Sequence, residues 1–203
     1  MPERTYRERL RANTLLVAKR IVANEGLSAL QARRVAVDAG CSVGTIYNLY
    51  DGLDDLIINV NAATLEDLGQ NLMAEKDRSA TADLPAQLTA LALAYLGFAL
   101  DQQPSWRAVF EHHLTKNRTV PEWYRERQSA LFAIVESLLT RYVSDPKERS
   151  SNARALFSAV HGIVALALDQ KLGDFDRHAT ESQIRFIVEA AALALQRRDG
   201  AAP

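Results

Sequence analysis

The sequence predicts an all-α fold of nine helices in two domains, and three observations carry that reading. Every long segment repeats its apolar residues at i, i+3, i+4 and i+7, and none alternates as a half-buried strand does. Glycine and proline fall almost wholly between these segments or near their ends, where they punctuate helices rather than break them. The 203 residues, 48% hydrophobic and 24% charged, suit a globular chain with one large core or two small ones. No uninterrupted apolar run reaches the ~18 to 20 residues that span a bilayer. The start, Met-Pro-Glu-Arg-Thr-Tyr-Arg-Glu-Arg, is charged where a signal peptide needs an apolar stretch. A cytoplasmic protein without a membrane partner is expected. The single cysteine, Cys41, excludes an intramolecular disulfide and a multi-cysteine zinc site, and its surroundings read as packed core.

The first helix, about residues 6–24, places Leu10, Thr14, Val17, Ala18, Ile21 and Val22 on one face and stops at Glu25-Gly26. A second, residues 32–39, sets Ala32, Val35, Ala36 and Ala39 on its buried side. Gly40 suits a left-handed closing residue and Ser42 a cap for the helix that follows. That third helix is short and outwardly polar, so residues 32–50 read as helix, tight turn, helix, the arrangement of DNA-reading units. A long helix over about 53–76 follows. Residues 84–100 are so rich in Leu and Ala that they are expected to be buried on most sides. Shorter patterns at 105–114 and from Pro121 to 143 precede two long ones, Pro146 to 172 and 180–198.

Charge is unevenly spread. The whole chain sums to −1, but residues 1–50 hold eight Arg and Lys against four Asp and Glu, and the remainder sixteen against twenty-one. A basic N-terminal quarter suits a polyanion, and an acidic remainder does not.

Gly26-Leu27, Val35-Ala36, the run Ala39-Gly40-Cys41-Ser42-Val43-Gly44-Thr45-Ile46-Tyr47, then Tyr50 and Asp54-Asp55-Leu56 together resemble the N-terminal domain of the TetR family of bacterial transcriptional regulators. The likeness covers roughly residues 6–57, and the nine-helix count agrees with it. It implies a three-helix helix-turn-helix DNA-binding domain over 1–52 and a helical ligand-binding and dimerisation domain over 53–203. It also implies that Tyr47 meets the DNA backbone and that Arg33 touches phosphate. Physically, Gly44 permits close approach of backbone to duplex, while Ser42 and Thr45 offer hydroxyls. Val43 and Asn48 are placed to meet base edges, Val43 through a thymine methyl. Arg4 and Arg7 lie where they reach neighbouring backbone or minor groove, and Ile46, Leu49 and Tyr50 face inward. Three positions depart from the family pattern: Gln31 where Ser or Thr usually caps the second helix, Leu49-Tyr50 in place of a His-Phe pair, and Leu53 in place of a lysine.

In the second domain, Trp106, Phe110, His113, Trp123, Tyr124, Phe132, Phe157 and His161 are candidate walls of a small-molecule pocket, though each also reads as core. Trp123 and the His161-Gly162 pair resemble a C-terminal subtype of the family. Ala155, Ala159, Gly162, Ile163 and Leu166, with Phe186, Ile187, Ala190, Ala191, Leu193 and Ala194, read either as intrachain packing or as a four-helix interface between two copies. Neighbouring His112 and His113 point about 100° apart on a helix and do not suggest a metal site. No cofactor motif, nucleophile elbow or phosphate-binding loop occurs. The resemblance implies the function of a non-enzymatic, ligand-responsive repressor. It binds a pseudo-palindromic double-stranded operator as a C2 homodimer and is released when a small molecule shifts the fourth helix. A helical protein-interaction module, or an all-α enzyme using His161 or His113 as a base, are the rival readings.

Overall fold

Helix boundaries follow local chemistry. The computed structural model describes residues 2–115 and 119–199. Among these run nine α-helices: α1 (Pro2–Glu25), α2 (Ala32–Ala39), α3 (Val43–Leu49), α4 (Gly52–Arg78), α5 (Leu84–Asp101), α6 (Gln103–Glu111), α7 (Glu122–Leu139), α8 (Pro146–Leu168) and α9 (Arg177–Asp199), with one 3-10 turn at Leu27–Ala29. At the start of α8, Asp145 accepts from the backbone N–H groups of Lys147 and Glu148 while Pro146 fills the first helical position. α8 stops four residues short of the expected 172. Gln170 takes a left-handed φ of 52°, and Lys171 N–H closes back on the Leu166 carbonyl at 3.0 Å. α6 likewise ends at Glu111 rather than 114, because His112 turns extended. Pro121 lies just before α7 rather than within it, its carbonyl accepting from Tyr124 and Arg125 N–H.

The chain forms two compact units, Met1–Asp67 with Asp101–Arg127, and Leu68–Leu100 with Gln128–Pro203. The sequence boundary at 52/53 falls elsewhere, for a packing reason. Ala108 of α6 is fully buried in the same core as Val17, Ile21 and Val22 of α1, Val35 and Ala36 of α2, Ile46 and Leu49 of α3, and Leu56 and Val60 of α4. The first part of α4 and the whole of α6 therefore belong with the helix-turn-helix. Asn61, 2% exposed, donates to the Ala108 carbonyl at 3.1 Å and so satisfies a C-terminal carbonyl of α6.

In the second unit, α5 buries residues on most of its circumference, among them Leu84, Leu88, Leu91, Tyr95, Leu96 and Ala99. α8 and α9 pack together, burying Ala153, Val160 and Val164 of one and Ile184, Val188 and Ala192 of the other. Both α5 and α8 are long and apolar enough to cross a membrane by length and composition, although neither is an uninterrupted apolar run. Half of the α5 window is buried in the fold and 17% of the α8 window.

Candidate nucleic-acid interface

The turn between α2 and α3 is built from three residues. Gly40 adopts φ 69°, ψ 36°, the left-handed conformation that L side chains rarely take, and its N–H returns to the end of α2. Cys41 N–H reaches the Ala36 carbonyl at 2.9 Å. The Cys41 side chain packs half-buried against the core, and burial pushes its thiol pKa up, so it stays protonated. Ser42 Oγ accepts from Thr45 N–H at 3.1 Å and lies 2.9 Å from Thr45 Oγ1. Whichever hydroxyl donates across that pair, the other keeps a hydrogen for an outside acceptor. Gln31, at the corresponding position before α2, makes no side-chain cap bond.

α3 divides its surface cleanly. Ile46, Leu49 and Tyr50 are 0%, 6% and 2% exposed and anchor it, while Ser42, Val43, Gly44, Tyr47 and Asn48 face solvent and Thr45 is half-buried. Tyr47 is 54% exposed, high for a tyrosine beside a core. A Cβ on Gly44 would meet only Ser42 Oγ, at the ordinary contact distance of 3.7 Å. The fold thus leaves room for a side chain where the sequence has none. Arg33, on the exposed side of α2, makes no ion pair among the described residues.

Two arginines brace this short helix. Arg7 donates to the Asn48 carbonyl at 2.8 Å, and Arg11 donates to the Leu49 carbonyl while its guanidinium lies 4.2 Å over the Tyr50 ring. Tyr50 Oη returns a bond to the Arg11 carbonyl at 2.9 Å. Cations at the last carbonyls of a helix complement its dipole, and this fixes the angle at which α3 stands off α1. Burial, with a smaller contribution from Asp55, raises the Tyr50 pKa against the pull of Arg11, keeping the phenol protonated. Arg7 thereby holds the chain's own backbone through one of its donors, and the Arg4 side chain lies outside the described residues. Arg34 pairs with Glu25, Arg20 with Asp38 at 3.8 Å and Lys19 with Asp67 at 3.6 Å, so much of the basic surplus serves internal bracing. Helical periodicity carries no sign of the two clasps on α3, since they join residues about forty positions apart.

The eight aromatic and histidine candidates for a pocket divide between the units. Trp106 and Tyr124 are buried in the first unit and Phe110 and Trp123 are half exposed there. The Trp106 and Phe110 rings lie 5.4 Å apart, and those of Trp123 and Tyr124 5.8 Å apart. Burial pushes the Tyr124 pKa up to about 12. His113 is exposed, its ring nitrogen 2.9 Å from the Glu111 carbonyl. His112, not a candidate, is the enclosed one. It sits 3.4 Å from Asp54, which also accepts from Thr115 N–H and Oγ1 at 3.3 and 2.6 Å. Phe132, Phe157 and His161 do come together in the second unit, joined by Tyr95, whose hydroxyl lies 2.8 Å from His161 Nδ1. No group of three or more His, Cys, Asp or Glu that could hold a metal ion occurs among the described residues.

A braced helix-turn-helix with an outward short second helix, joined in one chain to a separate all-helical unit, defines the class of one-component transcriptional regulators. The tetracyclin repressor-like C-terminal domain family matches residues 88–190, about half of the chain, and the chain belongs to the TetR family. As a member it is a ligand-responsive DNA-binding regulator and not an enzyme. Solved structures share the fold. A TetR-family transcriptional regulator from Streptomyces coelicolor superposes with a TM-score of 0.71 at 19% identity, covering 96% of this chain and 89% of its own. A Rhodococcus sp. RHA1 protein of unknown function gives 0.69 at 21%, covering 93% and 94%. The multidrug binding protein EbrR, complexed with imidazole, gives 0.63 at 21%, covering 89% and 93%. No curated protein matches the chain in sequence.

Proposed function

We propose that the chain is a repressor that binds a pseudo-palindromic operator as a C2 homodimer, with α3 in the major groove, and that a small molecule releases it. The observation that carries the DNA-reading part is the α3 face: Ser42, Val43, Gly44, Thr45, Tyr47 and Asn48 form one small and polar surface on a helix otherwise anchored by buried residues. Tyr47 and the Ser42–Thr45 hydroxyl pair reach phosphates, Val43 and Asn48 reach base edges, and Arg33 adds a phosphate contact from α2.

A reader of this size meets one half-site, and two-fold operators need two readers roughly 34 to 36 Å apart or a multiple of that. The surface that supports pairing is the outer side of α8 and α9. Ala155, Ala159, Ile187, Ala191 and Ala194 line a shallow groove there. Phe186, Leu193 and Leu166 stand 75%, 49% and 43% exposed, and Gly162, Ile163 and Ala190 extend the same apolar strip. Small residues let helices approach closely, and large apolar ones supply the buried area.

Release requires a ligand that prefers the DNA-incompetent dimer. Each tenfold loss of operator affinity corresponds to about 1.4 kcal/mol of differential binding. α4 runs unbroken from beside the helix-turn-helix at Gly52 to Arg78 in the second unit and is the element proposed to carry the change. The imidazole-bound EbrR structure supports a small-molecule effector for this fold. The test is genomic footprinting with purified protein, followed by Tyr47→Ala on the operator found. The variant is expected to lose at least about tenfold in affinity, roughly 1.4 kcal/mol, with helicity and assembly unchanged. Wild-type affinity in Tyr47→Ala removes the assignment of α3 as reader.

A further inference from the structure

The second unit carries a partly open pocket of about 70 Å³ whose wall has a single polar side chain, Tyr95; the other nine lining residues are Leu, Ala, Val or Phe. α4, α5, α7, α8 and α9 all contribute to it, through residues such as Leu72, Leu91 and Val160. Tyr95 is 5% exposed, and its hydroxyl is held 2.8 Å from His161 Nδ1. The Phe157 ring stacks on that imidazole at 5.4 Å and meets the Tyr95 ring edge-on at 5.8 Å, so the phenol is fixed in place by packing on two sides.

None of the ten lining residues carries a charge. Burial lowers the His161 pKa from its ordinary value, so the imidazole is neutral at pH 7.5. Arg154 lies over the Phe132 ring, about half exposed and 3.9 Å from Glu136. An ion entering the pocket would surrender much of its hydration against a lining that holds no opposite charge. Water is also poorly served, because a buried water needs two to four polar partners and the wall supplies one hydroxyl.

We propose that this pocket takes a neutral, mainly apolar small molecule, a single ring or short branched chain in size, bearing at most one uncharged hydrogen-bonding group, which meets the Tyr95 hydroxyl. The proposal rests on the reading of the chain as a ligand-responsive regulator and names the class of its ligand. The space is about half that of the ~150 Å³ apolar cavity that admits benzene, so a ring enters with rotamer shifts of leucines such as Leu72 and Leu91. A neutral hydroxyl, ketone or amide oxygen suits Tyr95, which can donate or accept.

Titration calorimetry of the full chain at pH 7.5 with four probes of similar size tests this: toluene, phenol, benzoate and benzylammonium. Toluene and phenol are expected to bind, and the two ions at least about tenfold more weakly. Tyr95→Phe is expected to weaken phenol by up to about tenfold and toluene by less than about twofold. Val160→Ile and, separately, Ala92→Leu fill the space and are expected to weaken both neutral probes at least about tenfold. Either filling variant that keeps wild-type helicity suffices. Equal or tighter binding of an ion, failure of both neutral probes, or unchanged affinity in a folded filling variant overturns the proposal. Footprinting with the same preparation separates it from the regulator reading. Neutral-probe binding without operator protection refutes the regulator and keeps the ligand class, whereas operator protection without neutral-probe binding refutes the ligand class alone.

Discussion

Gly44 separates what the fold requires from what the fold touches. Its φ is ordinary, and an added Cβ would make only a normal contact with Ser42 Oγ. Alanine is the better helix former, so Gly44→Ala is expected to leave the chain as stable or up to roughly 1 kcal/mol more stable. Its operator affinity is nonetheless expected to drop about tenfold or more, because the added methyl stands between helix and duplex. Melting curves and gel-shift titrations on one preparation check both halves, and a loss of stability with unchanged affinity would place the need for glycine inside the protein. Arg33 poses the complementary question. Five of the eight basic residues in the first fifty are tied to carboxylates or helix carbonyls, whereas Arg33 stands exposed on α2, the helix just before α3. Arg33→Ala should weaken binding to any sequence alike. In a dimer it should flatten the log–log salt slope by about 2, near 0.9 for each phosphate that is no longer neutralised. A lower affinity at unchanged slope would show that the guanidinium does not meet phosphate.

At the scale of elements, the clasp between α4 and the segment after α6 is where pH enters. His112 is enclosed next to Asp54, and burial lowers its pKa more than the carboxylate raises it. A histidine depressed in the folded state is neutral there but takes a proton readily once unfolded. Its contribution is therefore fully present above the ordinary value of 6.5 and is lost as pH falls below 6.5 toward the folded pKa. His161 acts in the same direction in the second unit. Urea midpoints measured from pH 7.5 down to 5 should decline, and His112→Gln should make the decline shallower; an equal slope in the variant would mean that His112 does not feel the burial described. The elements themselves were legible in sequence because each has a local cause. Apolar spacing marks the buried sides of α1 and α2, Gly40 and Ser42 mark the turn, and the density of Leu and Ala marks α5 as interior. What escaped has a non-local cause. Nothing near Arg7 or Arg11 announces that they hold carbonyls of α3 some forty residues away, and nothing in the run 105–114 shows that His112 leaves the helix so that Thr115 can reach Asp54. Aromatic content was an equally blunt guide to the candidate pocket. It gathered eight residues that the fold divides between two units, and it missed Tyr95, hidden in an apolar run that supplies four of the ten lining residues.

For the whole molecule, the proposed dimer turns on the outer strip of α8 and α9, and Ala194 isolates its role. The residue is exposed in the single chain, so Ala194→Arg costs the protomer no buried packing and introduces no enclosed charge. In a close-packed interface between two copies the same arginine lies near the two-fold axis or faces apolar helix, where it must be desolvated without a partner. That is expected to cost several kcal/mol, enough to shift the assembly to monomer at micromolar concentration. Light scattering should then report half the wild-type mass, with far-UV circular dichroism and the melting temperature of the protomer preserved. Operator binding should fall far more than one altered surface residue explains. The two readers are no longer held at a fixed spacing, and the second half-site loses the high effective concentration that the first provides. An operator cut to one half-site should be bound equally by the variant and the wild type, which separates a broken dimer from a damaged reader. If Ala194→Arg remains dimeric with its full-operator affinity intact, the two copies meet through some other surface, and the exposed strip of α8 and α9 loses its assignment.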